Sequence, residues 1–437
     1  MQPKKYIKKP NFLKKLPLWY SILLGILCFS GCALQYPTEY ATFLKSTVVQ
    51  YRLKRFSDLP NWPGQLTEPT LKVFLKSCQV LHMQPNWRAV CIKAKKLAPN
   101  SSALQEFFES EFTPWQLLTP TTHQGLITSY YEPLLKGYHS FNAQAAPYPI
   151  YGIPRNIWLI SYPKSLHKAS ILIFRFSANQ KMVIVPNKKA PGKNEWILYP
   201  QKFWHDNRTV LLSARIIGNE LVPYYTRREI HEGQGIADMP VLGWVESWVD
   251  LAYLQIQGSG RIQFENGQVV RLNYAAQNGH PFVSLAKWLM QYKKLSVAQV
   301  SKAGIKDWLQ KHPADFPKLL AVNPNYIFFQ ETAIPATEGP IGALGVSITE
   351  KLSVAIDARY IPLGAPVYIA TKHPLTHKPL NRLVFAQDKG SEIKGPLRID
   401  WFWGFGEQAG TEAEKMHQLG NIWLLLPNKV RPFTAEF

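Results

Sequence analysis

The stretch FAQDKGSEIKGPLRIDWFWGFG, Phe385 to Gly406, carries two aspartates twelve positions apart. Asp388 follows the apolar run Leu383-Val384-Phe385-Ala386, and Asp400 follows Leu397-Arg398-Ile399. Short apolar and aromatic runs cut by glycine and proline read as strands, so a carboxylate stands at the mouth of each of two neighbouring strands. A third, Asp357, repeats the arrangement in SVAIDARYIPLGAPVYI. With NYIFF, PVYIAT and NIWLLLP these runs make the C-terminal third mostly β. Many short strands leave exposed edges unless the sheet closes, so a barrel with the three aspartates at one end is the expected solution.

A carboxylate in apolar company is desolvated, which raises its pKa and lets it hold a proton near neutral pH. Asp400, followed by Trp401, Phe402 and Trp403, has the most apolar neighbours, and a like charge on Asp388 raises it further. A general acid acting on a glycosidic oxygen needs that property. Trp401 and Trp403 are expected to form an aromatic wall that dries the site and faces the sugar. The competing reading is that these aspartates cap turns by accepting backbone N–H bonds; Asp357, in the turn-like DARYIPLG, fits it best.

Working outward, GLITSYYEP, LLSARIIG, VLGWVES and LAYLQIQGSGRIQF read as strands from Gly125 onward. Asn266-Gly267 between alternating runs marks a hairpin. The Lys-rich residues 155–210 read as surface loops and edge strands, and residues 284–320 as helical. Near the N-terminus, Leu71, Phe74, Leu75, Cys78 and Leu81 share one helical face, and Trp87, Val90, Cys91, Ala94 and Leu97 share another beyond Pro85. Cys78 and Cys91 therefore point inward from a helical hairpin, as a disulfide or as two buried thiols. Ser102 and Gln105 stand at capping-box spacing.

The chain has 437 residues, with 50 Lys and Arg against 29 Asp and Glu, a formal net charge of +21. Such a charge attracts polyanions: nucleic acid, anionic lipid or a carboxylate-bearing polymer. The first residues narrow the choice. Lys4, Lys5, Lys8, Lys9, Lys14 and Lys15 precede the apolar LPLWYSILLGILCF and then Phe29-Ser30-Gly31-Cys32. A basic leader, a short apolar core and small residues before a processing point describe an export signal. The small-small-Cys ending resembles a bacterial lipoprotein signal, with residues 1–31 removed, Cys32 acylated and residues 32–55 a tether; an uncleaved membrane anchor is the alternative. Ala33 after the cysteine points to the periplasmic face of the outer membrane. Nucleic acid is then excluded as a partner. No P-loop, H-E-x-x-H or G-x-S-x-G occurs, and no Cys or His pairs stand at metal-ligand spacing, so no metal or organic cofactor is expected.

DARYIPLG, QDKGSEIKG and RIDWFWG together resemble the three-aspartate domain of the membrane-bound lytic murein transglycosylase A family. LPNWPG, GLITSYYEP, YYTRREI, LQIQGSGRIQF, YAAQNGHP and NPNYIFF resemble that family's upstream blocks in order, while residues 155–215 have no strong match. The resemblance implies a mainly β protein with N-terminal helices. A double-psi β-barrel would form from residues 56–137 and 322–437, and a smaller barrel domain, 138–321, would be inserted to leave a groove for a peptidoglycan glycan strand. The implied reaction is cleavage of the MurNAc-β-1,4-GlcNAc bond with formation of a 1,6-anhydro sugar. Asp400 would be acid and then base, Asp388 its tuning neighbour and Asp357 a support. Groove candidates are Tyr130, Tyr131 and Glu132 at the hinge, and Gln257, Ser259 and Arg261 after LAYLQI. Proteins of a cell-wall synthesis or division complex are candidate partners. A two-carboxylate hydrolase using Asp388 and Asp400, and a glycan-binding module without catalysis, stay open.

Overall fold

The computed structural model describes residues 49–432 apart from 180, 204–210, 293, 297, 298 and 391. The expected export signal, the acylation site Cys32 and the tether up to residue 48 lie outside the described residues. Within the stretch expected as tether, Gln50–Leu53 is a strand, β1. Helices α1 (Glu68–Leu81), α2 (Pro85–Ala94) and α3 (Ser101–Glu111) follow, then β2 (Phe112–Leu118) and β3 (Gly125–Glu132). The chain next runs through β4 (Leu134–Tyr138), β5 (Tyr148–Tyr151), β6 (Trp158–Ser161), β7 (Leu172–Phe176), β8 (Met182–Ile184), β9 (Glu195–Leu198), β10 (Leu211–Ile217) and β11 (Glu220–Pro223). It continues through α4 (Arg227–His231), β12 (Val241–Val245), α5 (Trp248–Gln257), β13 (Ser259–Phe264) and β14 (Val269–Gln277), then α6 (Leu285–Gln291), α7 (Lys302–Lys311), α8 (Phe316–Val322) and β15 (Ile327–Glu331). The last part holds β16 (Ser353–Ile356), β17 (Pro366–Lys372), β18 (Pro379–Asp388), β19 (Arg398–Phe405), α9 (Gly406–Ala413) and β20 (His417–Pro427).

Six strands close on themselves in the order β3-β19-β16-β18-β17-β20, with β20 pairing back onto β3. Five come from the C-terminal part, and β3 is the one strand the first part contributes to the ring. β2 adds outside β20 and β1 outside β2. Strand alternation turns Val354, Ile356, Phe385, Ile399, Trp401 and Trp403 into the barrel core. The helical hairpin covers that core with Phe74, which stacks on Phe385 at 5.9 Å and meets Phe107, Phe108 and Phe112. Cys78 and Cys91 are disulfide-bonded across it, with Cα atoms 5.4 Å apart. The cap of α3 is Asn100, whose side chain accepts from the Ala103 N–H, and not the Ser102 box expected from spacing.

The intervening residues build two further sheets. One, in the order β15-β14-β13-β4-β12-β5, nearly closes: β5 and β15 meet through an isolated bridge between Gly152 and Phe329. Its β13–β14 hairpin turns at Gly267, whose φ is +84°. The other, β6-β10-β11-β9-β7-β8, takes β6 to β9 from the Lys-rich region expected as surface loops and edge strands and β10 from LLSARIIG, expected as strand. It has its own core of Ile160, Phe174, Leu198, Leu212 and Leu221; lysines crowd the turns and hide an alternation that the strands themselves keep. LAYLQI, expected as strand, lies in helix α5, which Ser247 caps by accepting from the Asp250 N–H and which Gly258 ends at φ +77°.

Candidate active site

Register sets the site. Thr128 of β3 is the paired residue of Asp400 on β19, and its hydroxyl donates to Asp400 Oδ1. On the other side of β19, β16 places Ala355 opposite Asp400, and the second edge of β16 places the same Ala355 opposite Asp388 of β18. Paired residues of adjacent strands share a face. Asp388, Ala355, Asp400 and Thr128 thus form one row on the outer face of the closed barrel, while their strand neighbours fill its interior.

Tyr130, two residues beyond Thr128, reaches over the same face. It packs on Phe402, with ring centroids 5.3 Å apart, and its hydroxyl donates to Asp388 Oδ2 at 2.7 Å. Asp388 Oδ1 accepts from the backbone N–H groups of Ala343 and Lys389, each at 2.9 Å. Asp388 therefore has donors on both oxygens. Asp400 has a donor on Oδ1 alone among the described residues.

Burial raises both carboxyls above the usual aspartate range. For Asp388 that effect outweighs the Tyr130 hydroxyl and the two amides, which pull the other way. For Asp400 burial outweighs the nearby Arg398 guanidinium and the Thr128 hydrogen bond, and the charge of Asp388 adds to the rise. The Tyr130 phenol is pushed far up by burial and by both aspartates, so it stays a donor. Asp357 behaves otherwise: burial pushes it up, but the Arg359 guanidinium and the amides of Gly395 and Arg359 together hold it low. Its 2.7 Å bond from the Gly395 N–H ties the turn after β16 to the loop before β19. That loop delivers Asp400 to its place in the row.

A groove of about 640 Å³ runs between the closed barrel and the nearly closed one, with Tyr130, Asp388, Gln257 and Ser259 on its walls. Three buried oxygens on those walls, Gln255 Oε1, Asn273 Oδ1 and Thr332 Oγ1, lack a hydrogen-bond partner among the described residues. The amide nitrogens of Gln255 and Asn273 donate to the carbonyls of Ile327 at 3.2 Å and Ile341 at 3.0 Å, which fixes the orientation of both amides behind the groove wall. Thr128, Ala355, Gln255, Asn273 and Thr332 escaped the sequence reading. Counting back by two from Tyr130 along its strand leads to Thr128; nothing in the sequence marks the others.

Several expected site residues are placed elsewhere. Trp401 and Trp403 are 0% and 1% exposed in the barrel core, because alternation sends them away from Asp400, and Phe402 takes the outward place. Tyr131 is core as well and lies so close to Gly410 that a Cβ there would stand 2.8 Å from its ring. Glu132 is 0% exposed and does not reach the groove. Arg261 Nε donates to it at 2.9 Å and Arg271 Nε at 2.7 Å, both from the neighbouring barrel. Arg261 is thus a clamp, stacked 3.7 Å over Phe405. Gln257 lines the groove and also accepts from the Tyr131 N–H at 3.1 Å.

Comparison with known proteins places this geometry. Residues 196–330 match the MltA specific insert domain and residues 352–426 the 3D domain. The structure is similar to the crystal structure of MltA from Neisseria gonorrhoeae, with 36% identity, a TM-score of 0.76, and coverage of 89% of this chain and 93% of that one. The chain belongs to the MltA family. Another similar structure in sequence terms is the lytic transglycosylase LtgG of Burkholderia pseudomallei, at 31% identity and TM-score 0.52, covering 87% of this chain and 98% of that one. Membrane-bound lytic murein transglycosylase A of Escherichia coli K12 is 31% identical over 208 residues, 46% of this chain. The chain spans about half the length of the curated relatives it matches, 55% in that case. The row of Asp388, Ala355 and Asp400 falls within the match to the 3D domain, whereas Thr128 and Tyr130, on β3, lie outside both family matches. The MltA insert match covers β12 to β15, the four strands that with β4 and β5 form the far wall of the groove.

Proposed function

We propose that the protein is a lytic transglycosylase that cleaves the MurNAc-β-1,4-GlcNAc bond of peptidoglycan without water. The observation that carries this reading is the unequal hydrogen bonding of two carboxyls in one row. Asp388 accepts from three donors spread over both oxygens, while Asp400, also raised by burial, keeps one oxygen free of donors among the described residues. Asp400 gives its proton to the glycosidic oxygen as the C1–O bond breaks. The MurNAc C6 hydroxyl attacks C1 from within the same sugar, and the Asp400 carboxylate takes the hydroxyl proton. One acid, used twice, balances the reaction, and tethering the nucleophile to the substrate supplies the proximity that a bound water would otherwise need.

Ordinary glycoside hydrolysis uses a second carboxylate as nucleophile or as base for water. Asp388 is the only candidate in the row, and both of its oxygens already accept hydrogen bonds, which favours the single-acid reading over a hydrolase. The names of the relatives agree with the reaction, and the "membrane-bound" in the Escherichia coli name agrees with a lipid anchor at Cys32 on the outer membrane. The chemistry calls for no cofactor.

Mass spectrometry of sugars released from purified peptidoglycan tests the reading. Fragments ending in 1,6-anhydro-MurNAc are expected. Fragments heavier by one water identify a hydrolase, and retained binding without release identifies a glycan-binding module.

A further inference from the structure

The sheet β6-β10-β11-β9-β7-β8 takes no part in the site described above, yet it concentrates charge. Between Trp158 and Pro223 the sequence has ten Lys and Arg, seven of them lysine, against three Asp and Glu. The two described acids are occupied: Glu195 by Lys188 and the Gly192 N–H, and Glu220 by Lys202 at 2.9 Å. Lys168, Lys181, Lys189 and Lys193 are exposed and have no carboxylate partner among the described residues. Three of them, Lys181, Lys189 and Lys193, stand in the turns flanking β8. All four precede residue 196, where the insert-domain match begins, so this cluster is no part of what that family model describes.

The sheet is docked on the groove wall. Ser213 Oγ of β10 donates to the Gln277 carbonyl at 2.6 Å, and Gln277 lines the groove. Gly279 lies so close that a Cβ there would stand 3.1 Å from that of Ser213. The exposed apolar side chains of the sheet are Leu159, Leu211 and Ile217 on β6 and β10 and Val183 on β8, all single aliphatic groups with no aromatic ring among them. The turns flanking β8 therefore offer mainly hydrated point charges, with Val183 too small to anchor them in a bilayer.

We propose that this sheet is an anchoring surface for the wall polymer itself, its lysines pairing with free carboxylates of the stem peptides while the groove holds the glycan; this rests on the reading of peptidoglycan as substrate. Repeating carboxylates along an extended polymer match a set of dispersed cations, and exposed pairs of this kind are weak singly, additive in number and screened by salt.

The test uses full-chain protein carrying Asp400→Asn, so that nothing is digested, with and without Lys168→Gln, Lys181→Gln, Lys189→Gln and Lys193→Gln together. Co-sedimentation with purified sacculi at 50 mM salt is expected to weaken roughly tenfold in the quadruple variant, with the difference vanishing at 500 mM. Sacculi with amidated carboxylates should bind both proteins equally and weakly. Equal binding of the two proteins to native sacculi overturns the anchor. So does a loss seen only with phosphatidylglycerol vesicles, which identifies a membrane surface. In the Asp400-intact background, peptide-free glycan fragments should be cleaved by the quadruple variant at the parent's rate. If the parent cleaves neither sacculi nor fragments, the transglycosylase reading fails, while sedimentation still decides the anchor.

Discussion

Asp388 and Asp400 sit on strands that never pair with each other, yet both are in register with the same residue, Ala355 of β16. The two carboxyls are neighbours through a methyl group. Ala355 is 3% exposed and belongs to a packed cluster with Tyr130, Ile348, Ile393 and Phe402, so a larger side chain must push these neighbours or the row itself into the space above it. Ala355→Leu is expected to cut kcat at least tenfold with a modest loss of stability, about 1–3 kcal/mol from overpacking. Unchanged turnover with normal folding would show that the space above Ala355 is not used.

The electrostatics of Asp400 give two variants with opposite signs. The acid must be protonated to act, so activity is lost as pH rises through its raised pKa. Asp388→Asn removes a charge that raises Asp400, and the basic limb of the pH–rate profile should move down. Thr128→Val removes a hydrogen bond that lowers Asp400, and the same limb should move up. Limbs that shift together, or not at all, sink the assignment of Asp400 as the acid.

Stability follows the same linkage. A carboxyl whose folded pKa is raised costs nothing below its unfolded value, and its penalty grows until pH passes the folded value. Asp400→Asn removes that penalty. The variant is expected to be inactive and, at neutral pH, to melt a few degrees higher than the parent, with the gain absent near pH 3. A lower melting temperature at neutral pH would mean that the ionised carboxylate stabilises the fold.

Glu132 makes the contrary prediction. It is fully buried between Arg261 and Arg271, and Glu132→Gln leaves two guanidinium groups short of their counter-charge. A loss of about 3–5 kcal/mol in denaturant unfolding is expected. A stable but inactive variant would instead point to a catalytic role for this acid.

The helical hairpin is tied to the site by one amide. Gln387, beside Asp388, is 0% exposed; it accepts from Ser353 Oγ at 2.6 Å and donates to the Val73 carbonyl and Ser77 Oγ, both at 3.0 Å. Replacing Cys78 and Cys91 with alanine opens a link of 13 residues and is expected to cost about 2–3 kcal/mol by unfolding under oxidising conditions. Gln387→Leu should add a comparable loss by stranding its partners. Reducing agent should lower the parent to the level of the double variant and leave that variant unmoved.

What the sequence revealed was local. Asp357, Asp388 and Asp400 end apolar runs, and the hairpin at Asn266-Gly267 has its turn in two letters. Strand alternation was also in plain view, yet the run Trp401-Phe402-Trp403 drew attention to its rings, where counting by two from Asp400 selects Phe402. LAYLQI is apolar on both counts, and only Ser247, Asp250 and Gly258 mark it as a helix. The Lys-rich sheet was obscured because charge in the turns outweighs, in composition, the inward residues of short strands. Residues that depend on which strands become neighbours, such as Ala355, carry no local signature; register supplies them.

The closed barrel takes β3 from early in the chain and seats it between β19 and β20, about three hundred residues later. β19 holds β3 on one side, with Thr128 opposite Asp400, and the last strand closes the ring by holding it on the other. During synthesis the intervening sheets can form first, each around its own core, while β3 waits unpaired. A chain interrupted before His417 would carry all three aspartates and still leave the ring open, with β3 fastened along one edge only.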